Sequence, residues 1–327
     1  MKTKPILITG GAGFIGSHII DLFENENVEY IVLDNLSSGS TKNIPNTISK
    51  KSFIEGDVND YSLLEQLIKS VSYVMHLACT VGVKNVIARP LDTIDTNVNS
   101  LKFIASQCSK HNIPLVFFST SLVYSSFKEK EELSSEEEQT HALGFNPVSI
   151  YVYSKKIGEL ICEHYKNSMG LKYIIVRPFN MIGIRQKSDS GMVVPSFIKS
   201  AILNRTINVY GNGKQTRSFS DVKIAVKLLW EVIKHENSYG QIINLATTDK
   251  SISILELAKL IRDILDEPIK INFVPYSQVY GDSYRDVEYR SPSLTKLRQY
   301  ISDWDKTDLR KILKKIVEYE TQINNLS

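Results

Sequence analysis

The sequence predicts an α/β fold: a doubly wound parallel sheet over residues 1–177 and a smaller α/β lobe over 178–327. A segment at about 218–250 is expected to return to the first lobe. Three observations carry this. An apolar run, Ile6-Leu7-Ile8-Thr9, ends in glycines and passes at once into an apolar-periodic segment, which reads as strand, tight turn and helix. Short β-like runs then alternate with helical patterns as far as Arg177, as in a parallel sheet with helical crossovers. Beyond Pro178 the alternation loosens, with turn signals at Gly183, Gly191 and Gly211-Asn212-Gly213.

Composition excludes several classes. The 327 residues are 42% hydrophobic and 23% charged, the balance of a globular chain large enough for one large or two modest domains. A net charge of +3, from scattered Lys and Arg, gives no reason to expect a nucleic-acid partner. Cys79, Cys108 and Cys162 have neither metal-ligand spacing nor a paired framework, so reduced thiols, a cytoplasmic location and no metal are expected. No apolar run reaches membrane-spanning length.

The opening turn carries the first chemical signal. Gly11-x-Gly13-x-x-Gly16 fits the dinucleotide fingerprint, and Gly10-x-x-Gly13-x-x-Gly16 fits its short-chain dehydrogenase variant. Glycine is needed where the turn takes positive φ and where no Cβ may stand between backbone and pyrophosphate. The N–H groups of Phe14, Ile15 and Gly16 at the helix start would face the phosphates. Tyr30-Ile31-Val32-Leu33 ends in Asp34, about 20 residues past the last glycine, where a carboxylate holds the adenosine ribose and repels a 2′-phosphate. The expected cofactor is therefore NAD. The polar loop that follows, with Asn35, Ser38 and Gly39, is placed to wrap the ribose.

Further along, Phe53 to Val58 is a strand end whose Asp57 and Val58 would flank the adenine. Val71 to Ala78 is the fourth strand, where Leu77 and the small Ala78 permit close approach to the cofactor and His76 reads as a hydrogen-bonded strand residue. A helix is expected from Asp95 and Asn97 to about Lys110, then a buried strand, Leu115-Val116-Phe117-Phe118. That strand delivers Ser119-Thr120-Ser121 to the C-terminal edge, where open α/β sheets bind ligands. The charge run Lys128 to Glu138 reads as a solvated loop. A long helix from Tyr151 to about Ser168 and a strand, Lys172 to Arg177, complete the alternation.

Tyr151 and Lys155 lie four apart on that helix, so their side chains share a face. A phenol becomes a base at neutral pH only if a nearby cation favours its phenolate, and Lys155 is placed to do so. Thr120 can hydrogen-bond the same substrate hydroxyl. Tyr151, Lys155 and Thr120 are the expected catalytic groups.

These motifs, with His76-Leu77-Ala78, Asp95-Thr96-Asn97-Val98, Arg177-Pro178-Phe179-Asn180 and Val209-Tyr210-Gly211-Asn212-Gly213-Lys214-Gln215-Thr216-Arg217, resemble the extended short-chain dehydrogenases acting on nucleotide sugars. The resemblance spans essentially the whole chain. It implies a Rossmann domain holding NAD throughout turnover, with Asn97, Tyr151, Lys155 and Pro178 also near the cofactor. It implies a UDP-sugar held with the C-terminal lobe: Val83, Ser121, Val194 and Asn180 at the sugar or diphosphate, Tyr210 near the uracil, Arg217 and Arg290 on the phosphates. Guanidinium suits that task because its fork binds oxyanions bidentately. It also suggests a homodimer through a four-helix bundle, with Val98, Leu101, Ile104 and Ala105 on one helix and Ile157, Leu160 and Ile161 on the other.

Two signals divide the subfamily. The tail Tyr280 to Ser293 resembles that of UDP-glucuronate decarboxylases and a related group of 4-epimerases. Decarboxylases and 4,6-dehydratases carry an acid just before Val-Tyr, whereas this chain has Thr120-Ser121-Leu122-Val123-Tyr124. Leucine cannot move a proton at C5 or C6. Epimerisation at C4 through a transient 4-keto sugar needs only Tyr, Lys, Thr and NAD, so it is the expected activity. Decarboxylation or dehydration on the same fold is the alternative, and a non-catalytic NAD-binding regulator is the alternative of another class. The apolar Val81-Gly82-Val83 favours a neutral hexose or N-acetylhexosamine over a uronate, for which Lys84 and Arg185 are candidate partners.

Overall fold

The structure is a computed structural model that describes residues 4–45, 48, 52–80, 82, 86, 88–124, 133–138, 149–188, 191–280 and 287–325. The strands are β1 (Ile6–Thr9), β2 (Tyr30–Asp34), β3 (Phe53–Glu55), β4 (Tyr73–His76), β5 (Leu115–Phe118), β6 (Leu133–Ser134), β7 (Tyr173–Pro178), β8 (Met181–Ile182), β9 (Thr206–Tyr210), β10 (Thr216–Arg217), β11 (Ser220–Asp221), β12 (Gln241–Leu245), β13 (Ile252–Ser253), β14 (Lys270–Val274) and β15 (Tyr289–Pro292). The main helices are α1 (Phe14–Glu26), α2 (Tyr61–Ser70), α3 (Pro90–Ile94), α4 (Ser100–His111), α5 (Ser149–Met169), α6 (Val193–Asn204), α7 (Val222–Ile233), α8 (Ile254–Leu265) and α9 (Leu309–Asn325). The chain divides into two compact units: Met1–Val123, Pro147–Pro178 and Val226–Ile243, then Tyr124–Asn146, Phe179–Ala225 and Asn244–Ser327.

The first unit is built on a seven-stranded sheet of order β12-β7-β5-β4-β1-β2-β3, and the run from β3 to β7 is parallel throughout. Both faces are covered, which explains why β1, β4 and β5 are continuously apolar or buried rather than alternating. Strand order reverses at β1, which lies between β2 and β4. That switch point opens a crevice beyond the C-terminal ends of both neighbours. Leu7, Leu33, Leu64, Val74, Leu101, Ile104, Leu115 and Phe117 form the centre of the core.

Two local features set the site. Between α3 and α4 the helix widens into a π turn, Asp95–Asn99, which leaves Asn97 buried. Such turns occur often at functional sites. On α5, a Cβ at Gly158 would fall 2.5 Å from the Phe117 ring, so only glycine lets this helix lie so close over β5.

The second unit contains the four-stranded sheet β13-β10-β15-β6 and the parallel pairs β11–β8 and β14–β9. Its own core joins Ile198, Ala201, Ile207, Val209, Leu257, Ile261 and Leu313. Ser253 and Glu256 form a capping box that starts α8.

Two expectations need correction. The described part of the Lys128 to Glu138 run is not simply solvated. Leu133–Ser134 joins β15 as a strand, and Glu136 is buried with its carboxylate accepting from Asn244 N at 2.8 Å. Burial raises the Glu136 pKa above the ordinary carboxylate value, against that backbone bond and Lys296. In the suggested bundle helices, Leu101, Ile104 and Ala105 are fully buried in the sheet core and cannot also face a partner. Of the expected residues, Ile157 and Leu160 on α5 are exposed, as are Tyr153 on α5 and Leu91 and Ile94 on α3, while Ile161 packs partly against the core. Among the described residues, no helix is long and apolar enough to cross a membrane.

Candidate active site

The glycine turn lies at the switch point. Gly10 has φ +74°, and a Cβ there would fall 2.7 Å from the backbone nitrogen of Ala78, so both conformation and space require glycine. A Cβ at Gly16 would fall 2.5 Å from Gly10 O, which holds the start of α1 against the turn. Gly13 is the N-cap of α1 and no side chain caps that end. The first-turn N–H groups of Phe14 and Ile15 and the positive end of the helix dipole therefore fit a pyrophosphate. Leu77 N and Ala78 N are tied back to Thr9 at 3.0 and 3.3 Å, which fixes the neighbouring strand exit.

Asp34 is buried at the end of β2. Its Oδ2 accepts from Ala12 N at 2.9 Å and its Oδ1 from Leu36 N at 2.8 Å. The carboxylate thus pins the glycine turn as well as standing where a ribose would be read. Ala12 O accepts from Ser40 N and Asn43 Nδ2, and Gly39 packs on Ala12, so the loop carrying exposed Ser38 folds back over the turn. Asn35 Nδ2 donates to Asp57 Oδ2 at 2.7 Å, joining two expected adenosine-side residues. Val58 is buried in the core.

At the exit of β5 the expected catalytic residues meet. The Tyr151 phenol is buried and interacts with the Thr120 hydroxyl. Burial raises its pKa well above the ordinary value, Cys79 adds to the rise, and the Thr120 bond opposes it. Lys155 is buried, donates to Phe118 O at 2.8 Å, and lies 5.1 Å from the Phe117 ring centroid. Asn97 accepts from Thr80 N at 2.9 Å and donates to Ser154 Oγ at 3.0 Å, and Ser154 in turn donates to Tyr151 O. The π turn is thus linked to the helix turn that carries the tyrosine. Ser121 is buried in the short 3-10 turn Ser121–Tyr124, and Leu122 follows it there.

His76 is buried, with Nδ1 paired to Thr9 Oγ1 at 2.8 Å and its ring stacked on Phe117. Burial, then the nearby Lys155 charge, lowers its pKa to about 3, so it is neutral at working pH. Its Nε2 has no partner, so the expected hydrogen bonding is met on one nitrogen only.

The residue that sequence reasoning missed is Glu159. It is buried, accepts from Ser119 Oγ at 2.7 Å, and pairs bidentately with buried Arg177 at 2.8 and 2.7 Å. Lys156 adds a contact at 3.2 Å. Desolvation pushes the carboxyl upward, and Arg177, Ser119 and Lys156 together more than reverse this, so its pKa lies below the ordinary value.

In the second unit, Arg217 on β10 and Arg290 on β15 are register partners in a parallel pair, which sets them side by side on one face. Asn180, with φ +32°, donates to Ser218 O at 2.8 Å and accepts from Arg290 at 3.2 Å. Arg217 is buried and donates to Thr216 O at 2.7 Å. Tyr210 ends β9, and its carbonyl accepts from Gln215. Val194 is packed in the second core. Pro178 ends β7. Val83, like Val81 and Lys84, lies outside the described residues. Among the described residues, no cluster of three His, Cys, Asp or Glu could hold a metal.

A dinucleotide-fitting glycine turn at a sheet switch point, with a Tyr-x-x-x-Lys helix over the neighbouring strand exit, defines a Rossmann-fold enzyme of the short-chain dehydrogenase type. Residues 6–246 match the NAD dependent epimerase/dehydratase family. The chain belongs to that family, and its cofactor is NAD. It is 30% identical over 98% of its length, and 99% of the relative's, to a UDP-N-acetyl-alpha-D-glucosaminuronate decarboxylase of Bacillus cytotoxicus. Among solved structures it is similar to a UDP-N-acetylglucosamine 4-epimerase from Methanobrevibacter ruminantium in complex with UDP-N-acetylmuramic acid. That match has 29% identity and a TM-score of 0.86 over 99% of this chain and 100% of the other. A Thermotoga maritima UDP-glucose 4-epimerase with UDP-glucose matches at 26% identity and a TM-score of 0.86, over 98% of this chain and 99% of that one.

Proposed function

We propose that the chain interconverts C4 epimers of a UDP-sugar through a transient 4-keto sugar. The observation that carries this reading is Leu122. Beside the Thr120–Tyr151–Lys155 group it puts an alkyl side chain two residues beyond Thr120, where decarboxylation or dehydration would want an acid. The buried carboxylates among the described residues of the first unit are Asp34 and Glu159, and both are engaged. The proton chemistry available is therefore the tyrosine's, at one hydroxyl.

In this reading Tyr151 takes the proton of the C4 hydroxyl and later returns it. The Thr120 hydroxyl aligns that group and donates to the phenolate. Burial alone keeps the phenol protonated, so the Lys155 ammonium on the same helix face is needed to favour the charged form. The glycine turn and Asp34 would hold NAD, which would supply a reversible hydride acceptor, so that the reaction would carry no net redox change. Arg217 and Arg290 bind the diphosphate oxygens through charge-assisted bonds, and Asn180 orients Arg290 by accepting from it at 3.2 Å. The sugar is a neutral hexose or N-acetylhexosamine.

A second reading, decarboxylation of a UDP-uronate, is favoured by the 30% identity to the Bacillus cytotoxicus decarboxylase across both chains. Incubation with UDP-glucose, UDP-N-acetylglucosamine and UDP-glucuronate, followed by NMR, separates the two. Carbon dioxide release or an accumulating keto sugar contradicts epimerisation. We also infer a homodimer packed through α3 and α5, supported by exposed Leu91 (72%), Ile157 (44%) and Leu160 (61%).

A further inference from the structure

Three residues of α5, spaced four apart, hold three successive residues at the exit of β5. Lys155 bonds Phe118 O and Glu159 bonds Ser119 Oγ, while the Tyr151 phenol interacts with Thr120. At 3.6 residues per turn these positions share one helix face, so they act as rungs of a single ladder. The first two rungs are the proposed chemistry. The third touches no reacting atom, yet it is the most heavily built: Arg177, from the end of the neighbouring strand β7, grips both Glu159 oxygens. Val176, beside Arg177, is the register partner of Phe118. One carboxylate thus ties the helix to two adjacent strand ends at the edge where the proposed chemistry occurs.

We propose that Glu159, clamped by Arg177, is a positioning residue that sets the longitudinal register of the Tyr151 helix over the Ser119-Thr120 strand exit. A helix free to slide or tilt by about 1 Å there draws the Tyr151 phenol away from Thr120, because the two contacts share one rigid backbone. The Ser119 bond is the more local arm, since Ser119 is the residue before Thr120. The Arg177 pair is the stiffer arm, since both its members are buried and its geometry is bidentate. Glutamine at 159 would keep the size and one acceptor but present an amide N–H₂ to the guanidinium, so the clamp opens without a cavity.

This inference rests on the reading of Tyr151 as the proton-transfer group, and its test separates the two. Glu159→Gln, Ser119→Ala and wild type are compared by hydrogen exchange of backbone amides over 149–160 and by the pH dependence of UDP-sugar turnover. Expected for Glu159→Gln is at least tenfold faster exchange across this segment, kcat reduced 10- to 100-fold, and KM within twofold. The acid limb of the rate profile moves to higher pH, because the Thr120 bond lowers the phenol's pKa and its loss raises it. Ser119→Ala, which keeps the ion pair, gives a smaller shift in the same direction and guards against a Glu159→Gln chain that does not fold. An unchanged exchange pattern in both variants overturns the positioning role, as does an unmoved acid limb with reduced kcat. If the wild type turns over no UDP-sugar, the proposed activity fails while the exchange comparison still decides the ladder.

Discussion

Replacing Arg177 with methionine tests how firmly the first unit depends on its buried ion pair. Arg177 and Glu159 are 1% and 4% exposed, and the pair is bidentate. Removing one partner strands a carboxylate in the interior, which costs about 3–5 kcal/mol. Ser119 Oγ and the partly exposed Lys156 remain bonded to Glu159 and place the cost near the low end, about 3 kcal/mol. For a unit of 150–250 residues each kcal/mol moves the midpoint by about 2–4 °C, so its melt should fall by about 6–12 °C. Trp230, packed on Phe23, reports on this unit alone in a Trp304→Phe background. The sign of the pH effect follows from the carboxylate. In the wild type its pKa is depressed, so its contribution is full above the unfolded value of about 4.3 and lost as pH falls through the folded value. In Arg177→Met, desolvation is no longer offset by the guanidinium and the folded pKa rises, so the deficit against wild type shrinks as pH drops from 7 toward 5. Glu159→Leu combined with Arg177→Met should regain most of the lost stability, because no charge is left stranded. A single-variant melt within 2 °C of wild type, or a double variant no better than the single, would refute the reasoning.

Other expectations are equally direct. Gly10→Ala should weaken NAD binding at least tenfold by fluorescence titration and lower the first unit's midpoint, since its Cβ has neither an allowed φ nor space beside Ala78. Glu136→Gln should raise the second unit's midpoint by about 2 °C at pH 8 and change little at pH 4. Its raised pKa means the folded state prefers the neutral form, a preference satisfied below the unfolded value and costly once pH passes the folded one. Leu160→Glu should convert the inferred dimer to a monomer in sedimentation velocity at micromolar concentration, and an unchanged dimer would move the interface elsewhere.

The elements of the first unit were legible because their signals are local. The apolar run into Gly10 and Gly16, the strand ending in Asp34 and the four-residue step from Tyr151 to Lys155 each lie within a short window. What the sequence hid was long-range pairing. Glu159 meets Ser119 40 residues back and Arg177 18 residues on, and nothing local marks either. The one available signal was periodic: Tyr151, Lys155 and Glu159 continue one helix face. The strand in the charge run was hidden because β6 is two residues long and owes its place to β15, 158 residues away. Periodicity also could not say which apolar face of the helix pair meets the sheet. Leu101 and Ile104 take that role, and Ile157 and Leu160 do not.

The central claim is tested most directly by proton NMR of the purified chain with UDP-glucose and UDP-N-acetylglucosamine, alongside Tyr151→Phe. The account predicts that wild type converts one of these to an equilibrium mixture with its C4 epimer, with no keto sugar or free NADH accumulating. Tyr151→Phe should bind NAD normally and lose at least 100-fold in rate. Conversion of UDP-glucuronate with release of carbon dioxide, and no change in either neutral sugar, would contradict it.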